Sequence, residues 1–307
     1  MKNLNKAVFV AALLISAYFS SPPLALALGL VLAVTVGNAF PAFTRTASKW
    51  FLQVSVVGLG FGMNLGEVLR AGRSGFVYTL IGISFAVLCG TFLGKILAVD
   101  GKPSLLISVG TAICGGSAIA AVGPVVDADE HDMAVSLGTV FILNAIALFI
   151  FPIIGHSVHL SQQQFGLWAA LAIHDTSSVV GAAAKYGSLA LGIATTVKLT
   201  RALWIVPVTL CVAAISKHKA RIQVPWFIFF FLLAALLRSY SPAALIPVYG
   251  ILLSGAKIGL AITLFLIGAA LSREALSEVG ARPLVQGVIL WLIVAAGSMW
   301  LVLEHSH

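Results

Sequence analysis

Two ionisable side chains sit where an apolar chain should have none. His174 and Asp175 lie in Ala172-Ile173-His174-Asp175-Thr176-Ser177-Ser178, inside an apolar run from about residue 166 to 184. Among the ten acidic residues and seven histidines, only these two fall deep in such a run. An ionisable group at that depth is costly and either pairs or works. Histidine titrates near neutral pH, so the pair reads as a proton-coupling element, with acid–base catalysis as the rival chemistry. The residues that follow, Thr176 and Ser177, favour the start of a helix, so the run reads as an interrupted helix that restarts there.

A second interruption is written at Cys114-Gly115-Gly116-Ser117. Paired glycines favour an unwound backbone, and Ser117 suits a restarted helix. Each restart leaves free backbone N–H groups and the positive end of a helix dipole, a natural seat for an anion. Lys198 and Arg201 supply the matching charge. Their spacing of three puts them on one helix face, and both ends of their apolar run are roughly 15 Å away. Unpaired, each would cost about 2.5–3.5 kcal/mol at a membrane helix centre. Asp175 can offset one of them, and the surplus positive charge points to an anionic ligand. Asn144, Lys257 and Asn64 are possible helpers. The alternatives are an ion pair that only locks helices, and Asn144 as a helix bridge.

The elements that must position these residues follow from composition. Of 307 residues, 60% are hydrophobic and 9% charged, against about 25% charged in soluble domains. Mean hydropathy is +1.07. Spanning-length apolar runs recur throughout, without the short alternating segments of a β-barrel. The fold class is therefore all-α and polytopic in a membrane, with about eleven transmembrane segments near 6–20, 22–40, 47–66, 74–98, 103–125, 132–155, 164–185, 188–215, 224–239, 242–271 and 282–303. They form a single integral membrane domain. The net charge of +8 does not indicate nucleic acid, because the basic residues sit at segment ends. Lys2, Lys6, Arg45, Lys49, Lys102, Lys217, Lys219, Arg221, Arg273 and Arg282 on one side outnumber Arg70, Arg73, Lys185 and Arg238 on the other. That bias puts the N-terminus in the cytoplasm, the C-terminus in the periplasm, and the acidic cluster Asp127, Asp129, Glu130 and Asp132 outside. Ala25-Leu26-Ala27 has the form of a signal-peptidase site, but the polytopic context favours a retained first helix.

The chain carries two internal echoes, of which the first suggests inverted repeats. Gly58, Gly60 and Gly62 lead into Glu67-Val68-Leu69 and Gly72-Arg73, as Gly255, Gly259 and Gly268 lead into Glu274-Ala275-Leu276, Gly280 and Arg282. Ala112-Ile113 with Ser117 is matched by Ala172-Ile173 with Ser177, although the segment count makes that second pair parallel. Cys89, Cys114 and Cys211 lack metal-ligand spacing, His156 and His159 lack acidic or Cys companions, and His131-Asp132 and His305-Ser306-His307 read as exposed ends. No zincin, phosphate-loop or nucleophile-elbow pattern appears, so no metal, no cofactor and no enzyme activity are expected.

Residues 110–121, 172–178 and 194–201, with Gly60-Phe61-Gly62-Met63-Asn64-Leu65, resemble the sulfate exporter family of YeiH-like membrane proteins over nearly the whole chain. Many of those relatives carry Gln where this chain has Ser178. The resemblance implies a bacterial inner-membrane transporter within the superfamily of cation–proton antiporters and bile-acid–sodium symporters. It implies an inverted-repeat fold whose core, near 74–215 and 282–303, rocks against a panel, near 22–66 and 224–271. The expected function is secondary transport of a small inorganic anion, sulfate or a related sulfur oxyanion, by proton-coupled export. Cys114, Gly115, Gly116, Ser117, Thr176, Ser177, Lys198 and Arg201 would bind substrate, and His174 with Asp175 would couple protons. The expected partners are the anion, the lipid bilayer and H+ or Na+, with a homo-oligomer open. The rivals are a sodium-coupled organic-acid symporter and an intramembrane enzyme using His174 and Asp175.

Overall fold

The structure is a computed structural model that describes residues 2–216, 225–271 and 279–304. Every regular element among them is helical. Internal contacts divide the chain into two units, residues 1–70 with 226–273 and residues 71–225 with 274–307.

The first unit holds α1 (Lys2–Phe19), α2 (Pro22–Thr35), α3 (Pro41–Gly60), the start of α4 (Leu65–Ile96), α12 (Trp226–Tyr240) and α13 (Ile246–Ala270). Proline opens α2, α3 and α13, where its missing N–H costs nothing. Helix α13 is the hub, and its glycines explain why. A Cβ on Gly29 of α2 would fall on the Phe265 carbonyl, and one on Gly268 would sit 2.9 Å from the Leu30 nitrogen. The α2 and α13 backbones therefore touch, the close approach that drives helix association where lipid offers no hydrophobic force. Gly58 faces Ala256 and Gly259 faces Ser55 at the α3 crossing. Phe9 of α1 is buried, edge-on to Phe40 and Phe265, so the first helix is packed into this unit.

The second unit holds the rest of α4, then α5 (Gly101–Ala112), α6 (Gly116–Val122), α7 (Glu130–Ser157), α8 (Gln162–Ala172), α9 (Thr176–Tyr186), α10 (Ser188–Ala202), α11 (Ile205–Ser216) and α14 (Ala281–Glu304). Helices α5 and α6 form a hairpin. Gly115, at φ 65°, adopts a conformation that only glycine takes easily, and its N–H closes the turn on the Gly110 carbonyl at 2.8 Å. Ile119 packs back on Gly110, and at the open end the Lys102 ammonium donates to the Asp127 carbonyl at 2.6 Å. Helices α8 and α9 form the second hairpin. Tyr186 donates to the Leu160 carbonyl at 2.6 Å and stacks on Phe165 with centroids 3.7 Å apart. The ends of α9 and the start of α8 are thus together. The α5 arm is about 18 Å long and the α8 and α9 arms about 16 Å, half a bilayer core of about 30 Å.

Helix α7, about 42 Å long, fixes the two hairpins at opposite ends of this unit. Its first turns meet the base of the α5 hairpin, where Ser136 lies 3.5 Å from the Pro103 carbonyl. Its last turn meets the base of the α8 hairpin, where His156 stacks on Tyr186. Helix α10 runs alongside α8 in the same direction, with Gly166 against Ala190 and Lys198 beside Ile173. It kinks into α11 at Leu203-Trp204, where Pro207 removes one backbone donor. Helix α14 ties both hairpins. Gln286 donates to the Gly90 carbonyl and Ser104 hydroxyl, both at 2.9 Å, and Trp291 to the Ala172 carbonyl at 3.2 Å.

Among the described residues, five stretches are long and apolar enough to cross a membrane: residues 79–96 of α4, α7, α10 with α11, α13 and α14. The interruptions fall where the sequence places them, but the segments near 103–125 and 164–185 fold back instead of crossing. Two consequences follow. Lys102 and Asp127 share one end of the unit, whereas loop charges had put them on opposite sides. The Ala-Ile echo at Ala112 and Ala172 lies at the tips of opposed hairpins, not in parallel segments. The echo at Glu274-Ala275-Leu276, with Arg273, Lys217, Lys219 and Arg221, lies outside the described residues.

This topology predicts sidedness. An impermeant thiol reagent should reach Gly101→Cys and Glu130→Cys from one side of the membrane, and Gln163→Cys and Lys185→Cys from the other. Labelling of positions 101 and 130 from opposite sides would refute the first hairpin.

Candidate functional site

The two hairpin tips meet. A Cβ on Gly115 would lie 3.5 Å from both the Asp175 Cα and the His174 carbonyl. Each tip brings together the negative C-terminal end of one half-helix and the positive N-terminal end of the next. The protein treats these ends differently.

The C-terminal ends are closed by two cations from α10. The Arg201 Nε donates to the Ala112 carbonyl at 2.6 Å, and its terminal nitrogens reach the carbonyls of Thr111, Ala170 and Leu171. One guanidinium thereby caps α5 and α8 together. Lys198 donates to the Ile173 carbonyl at 2.7 Å and the Ala170 carbonyl at 3.5 Å. Cations at helix C-termini are stabilising, more so when buried, and only the fork of Arg spans two helix ends at once. Lys198 is 0% and Arg201 1% exposed. Among the described residues neither makes an ion pair with Asp175, and in this conformation their nitrogens face carbonyls. The backbone thus supplies the countercharge that was sought in Asp175.

Asp175 acts at the other polarity. It is the N-cap of α9, and one carboxylate oxygen accepts from the Ser178 N–H at 3.1 Å and from the Ser177 hydroxyl. The side chain is half-buried. Asn144, at the middle of α7, accepts from the N–H groups of His174 at 3.0 Å and Asp175 at 3.1 Å, so it splints the tip from outside the hairpin. The His174 ring is fully buried, and among the described residues neither ring nitrogen nor the Asn144 amide nitrogen has a partner.

What remains open is the N-terminal side. Among the described residues the backbone N–H groups of Gly116, Ser117, Thr176 and Ser177 have no acceptor. Ser117 is exposed and Gly116 partly so, while Thr176 and Ser177 are buried and Cys114 lies beneath the first tip. Asn64 and Lys257 belong to the other unit; Asn64 caps α4 through the Gly66 N–H at 2.8 Å. Sequence reasoning missed the carbonyl ends as the partners of Lys198 and Arg201, and missed Trp291 as a donor to the second tip. An i, i+3 pair of cations on a helix beside two interruptions was the available signal.

These contacts set an order of stability losses. Arg201→Lys cannot span both tips and should lose at least one charge-assisted bond, about 1.5–3 kcal/mol, lowering the melting temperature in detergent. Asn144→Leu should lose a similar amount, while Asn144→Asp, which keeps the acceptor, should lose less. Equal melting temperatures for Arg201→Lys and the wild type would contradict the bridging role.

Relatives share this sequence over its length. A family model described as "Conserved hypothetical protein 698" matches residues 5–287. A UPF0324 membrane protein of Bacteroides thetaiotaomicron is 54% identical over 282 residues, 91% of this chain and 85% of the relative. One from Porphyromonas gingivalis is 54% identical over 287 residues, 92% and 87% of the two chains. One from Shewanella oneidensis is 42% identical over 306 residues, 99% and 96% of the two. With its apolar helices, the chain is a multi-pass membrane protein belonging to the family described as conserved hypothetical protein 698.

Proposed function

We propose that this protein is a secondary transporter of a small inorganic anion, sulfate or a related sulfur oxyanion, working by alternating access in a bacterial inner membrane. The observation that carries this reading is the meeting of two opposed hairpin tips with four backbone N–H groups left without acceptors. Unpaired backbone donors at membrane depth are tolerable where protein or water covers them, and helix starts favour negative charge. Ser117 and Thr176 add hydroxyl donors at the same places. The resemblance to the sulfate exporters favours a sulfur oxyanion.

Lys198 and Arg201 act here through the backbone. By neutralising the carbonyl ends of both tips they leave the N-terminal ends as the net field that an anion meets. Asp175 is the coupling group. Ionised, it repels an anion beside it, and protonation removes that repulsion, so anion and proton bind together. A dianion leaving with one proton still carries negative charge outward and is driven by an inside-negative potential. His174 lies sealed beside Asp175, in the tip that Asn144 holds through the backbone.

The test is efflux of labelled sulfate, sulfite or thiosulfate from proteoliposomes under an imposed potential. Wild-type efflux should accelerate as the loaded side is acidified. Asp175→Asn should keep the flux and lose most of that pH dependence. Absence of flux for all three oxyanions, or flux driven by a sodium gradient and insensitive to pH, would sink this reading. The second outcome would favour a sodium-coupled organic-acid symporter. Product formation from the anion in detergent solution would favour an enzyme.

A further inference from the structure

Lys257 is an anomaly of the first unit. It lies near the middle of α13, about 16 Å from the Ile246 end and about 20 Å from the Ala270 end of a membrane-spanning helix. It is exposed, and among the described residues it has no hydrogen bond and no ion pair. Neither helix end is within a lysine's reach, so snorkelling does not relieve it. A bare ammonium at mid-depth does not face lipid tails.

The surrounding helix surface separates into two stripes. Gly250, Ser254 and Lys257 follow one another at helical spacing, and all are exposed. Val248, Ile251, Gly255 and Ile258 form a neighbouring exposed stripe that carries no polar side chain, which is the one suited to lipid. The polar stripe also has room, since a Cβ on Gly250 would meet nothing within 4 Å. Ser254 turns its hydroxyl onto its own helix at the Gly250 carbonyl, 2.9 Å away, leaving Lys257 as the charged group of the stripe.

We infer that the Gly250–Ser254–Lys257 stripe of α13 is a water-lined face of the first unit, with Lys257 as its mid-depth electrostatic contact for the transported anion. This rests on the transport reading above and names a residue outside the hairpin tips as a determinant of anion affinity. Lys257 is a point charge that attracts an anion of any shape.

Labelling tests the water-lined face independently of flux. In a chain with Cys89 and Cys211 replaced by serine and the buried Cys114 retained, single cysteines are placed at 251, 254, 257 and 258. A water-soluble cationic thiol reagent should modify Ser254→Cys and Lys257→Cys about tenfold faster than Ile251→Cys and Ile258→Cys, as a wetted stripe beside a lipid-facing one requires. Sodium sulfate should slow the reaction at 254 by several-fold relative to sodium gluconate at equal ionic strength. In proteoliposomes Lys257→Gln should raise the sulfate KM about tenfold with little change in maximal rate, and Lys257→Arg should restore it, as loss and return of a charged contact predict. Equal labelling of the two stripes overturns the water-lined face, and an unchanged KM in Lys257→Gln overturns the anion contact. Absence of wild-type flux overturns the transport reading, while the labelling rates still decide whether the stripe is wet.

Discussion

The second unit depends on one guanidinium. Arg201 holds the carbonyl ends of α5 and α8 from a buried position on α10. Backbone polar groups in an apolar medium must be satisfied, and a hairpin tip at mid-depth exposes a full set of them. Water would serve at a protein surface. Here side chains serve, and their placement dictates much else. Helix α10 must run parallel to α8 so that Lys198 and Arg201 arrive at the tips. Glycine must stand at 166 so that Ala190 can approach, and the α10–α11 kink comes just past Arg201.

The two tips are not equivalent, although their sequences echo each other. The second is held by Asn144, capped by Asp175 and touched by Trp291 at its carbonyl side. The first turns on a glycine of positive φ and closes with its own backbone, Gly115 to Gly110. Arg201 reaches both tips, whereas Asn144 and Trp291 hold only the second. In the second tip the Asp175 carboxylate is held in place by charge-assisted hydrogen bonds from Ser177 and Ser178.

The first unit solves a different problem with smaller means. Its crossings are built on glycine, alanine and serine, where backbones approach within contact distance. Helix α13 is buried along its second half and exposed along most of its first, and Lys257 stands near the change. That asymmetry along one helix is unlike a lipid-facing span, which would be exposed along one stripe for its full length.

Much of this was legible from residue types. Apolar runs reported the helices, and Gly115-Gly116 and Asp175 to Ser177 reported the interruptions, because local backbone preference acts within a few residues. Cost at depth singled out His174, Asp175, Lys198 and Arg201, since burying a charge demands a partner whatever the fold. The identity of those partners was not legible. Every residue has a carbonyl, so nothing in the letters marks those of Ala112 and Leu171 as the ones that Arg201 holds. Nor do the letters distinguish an interrupted helix that continues from one that turns back. That choice rests on contacts between Lys102 and Asp127, and between Tyr186 and Leu160, which tertiary packing makes. The sequence by itself determined the helices, the breaks and the costly charges; the tertiary structure decided the direction of the chain after each break and the polarity of the ends that meet there.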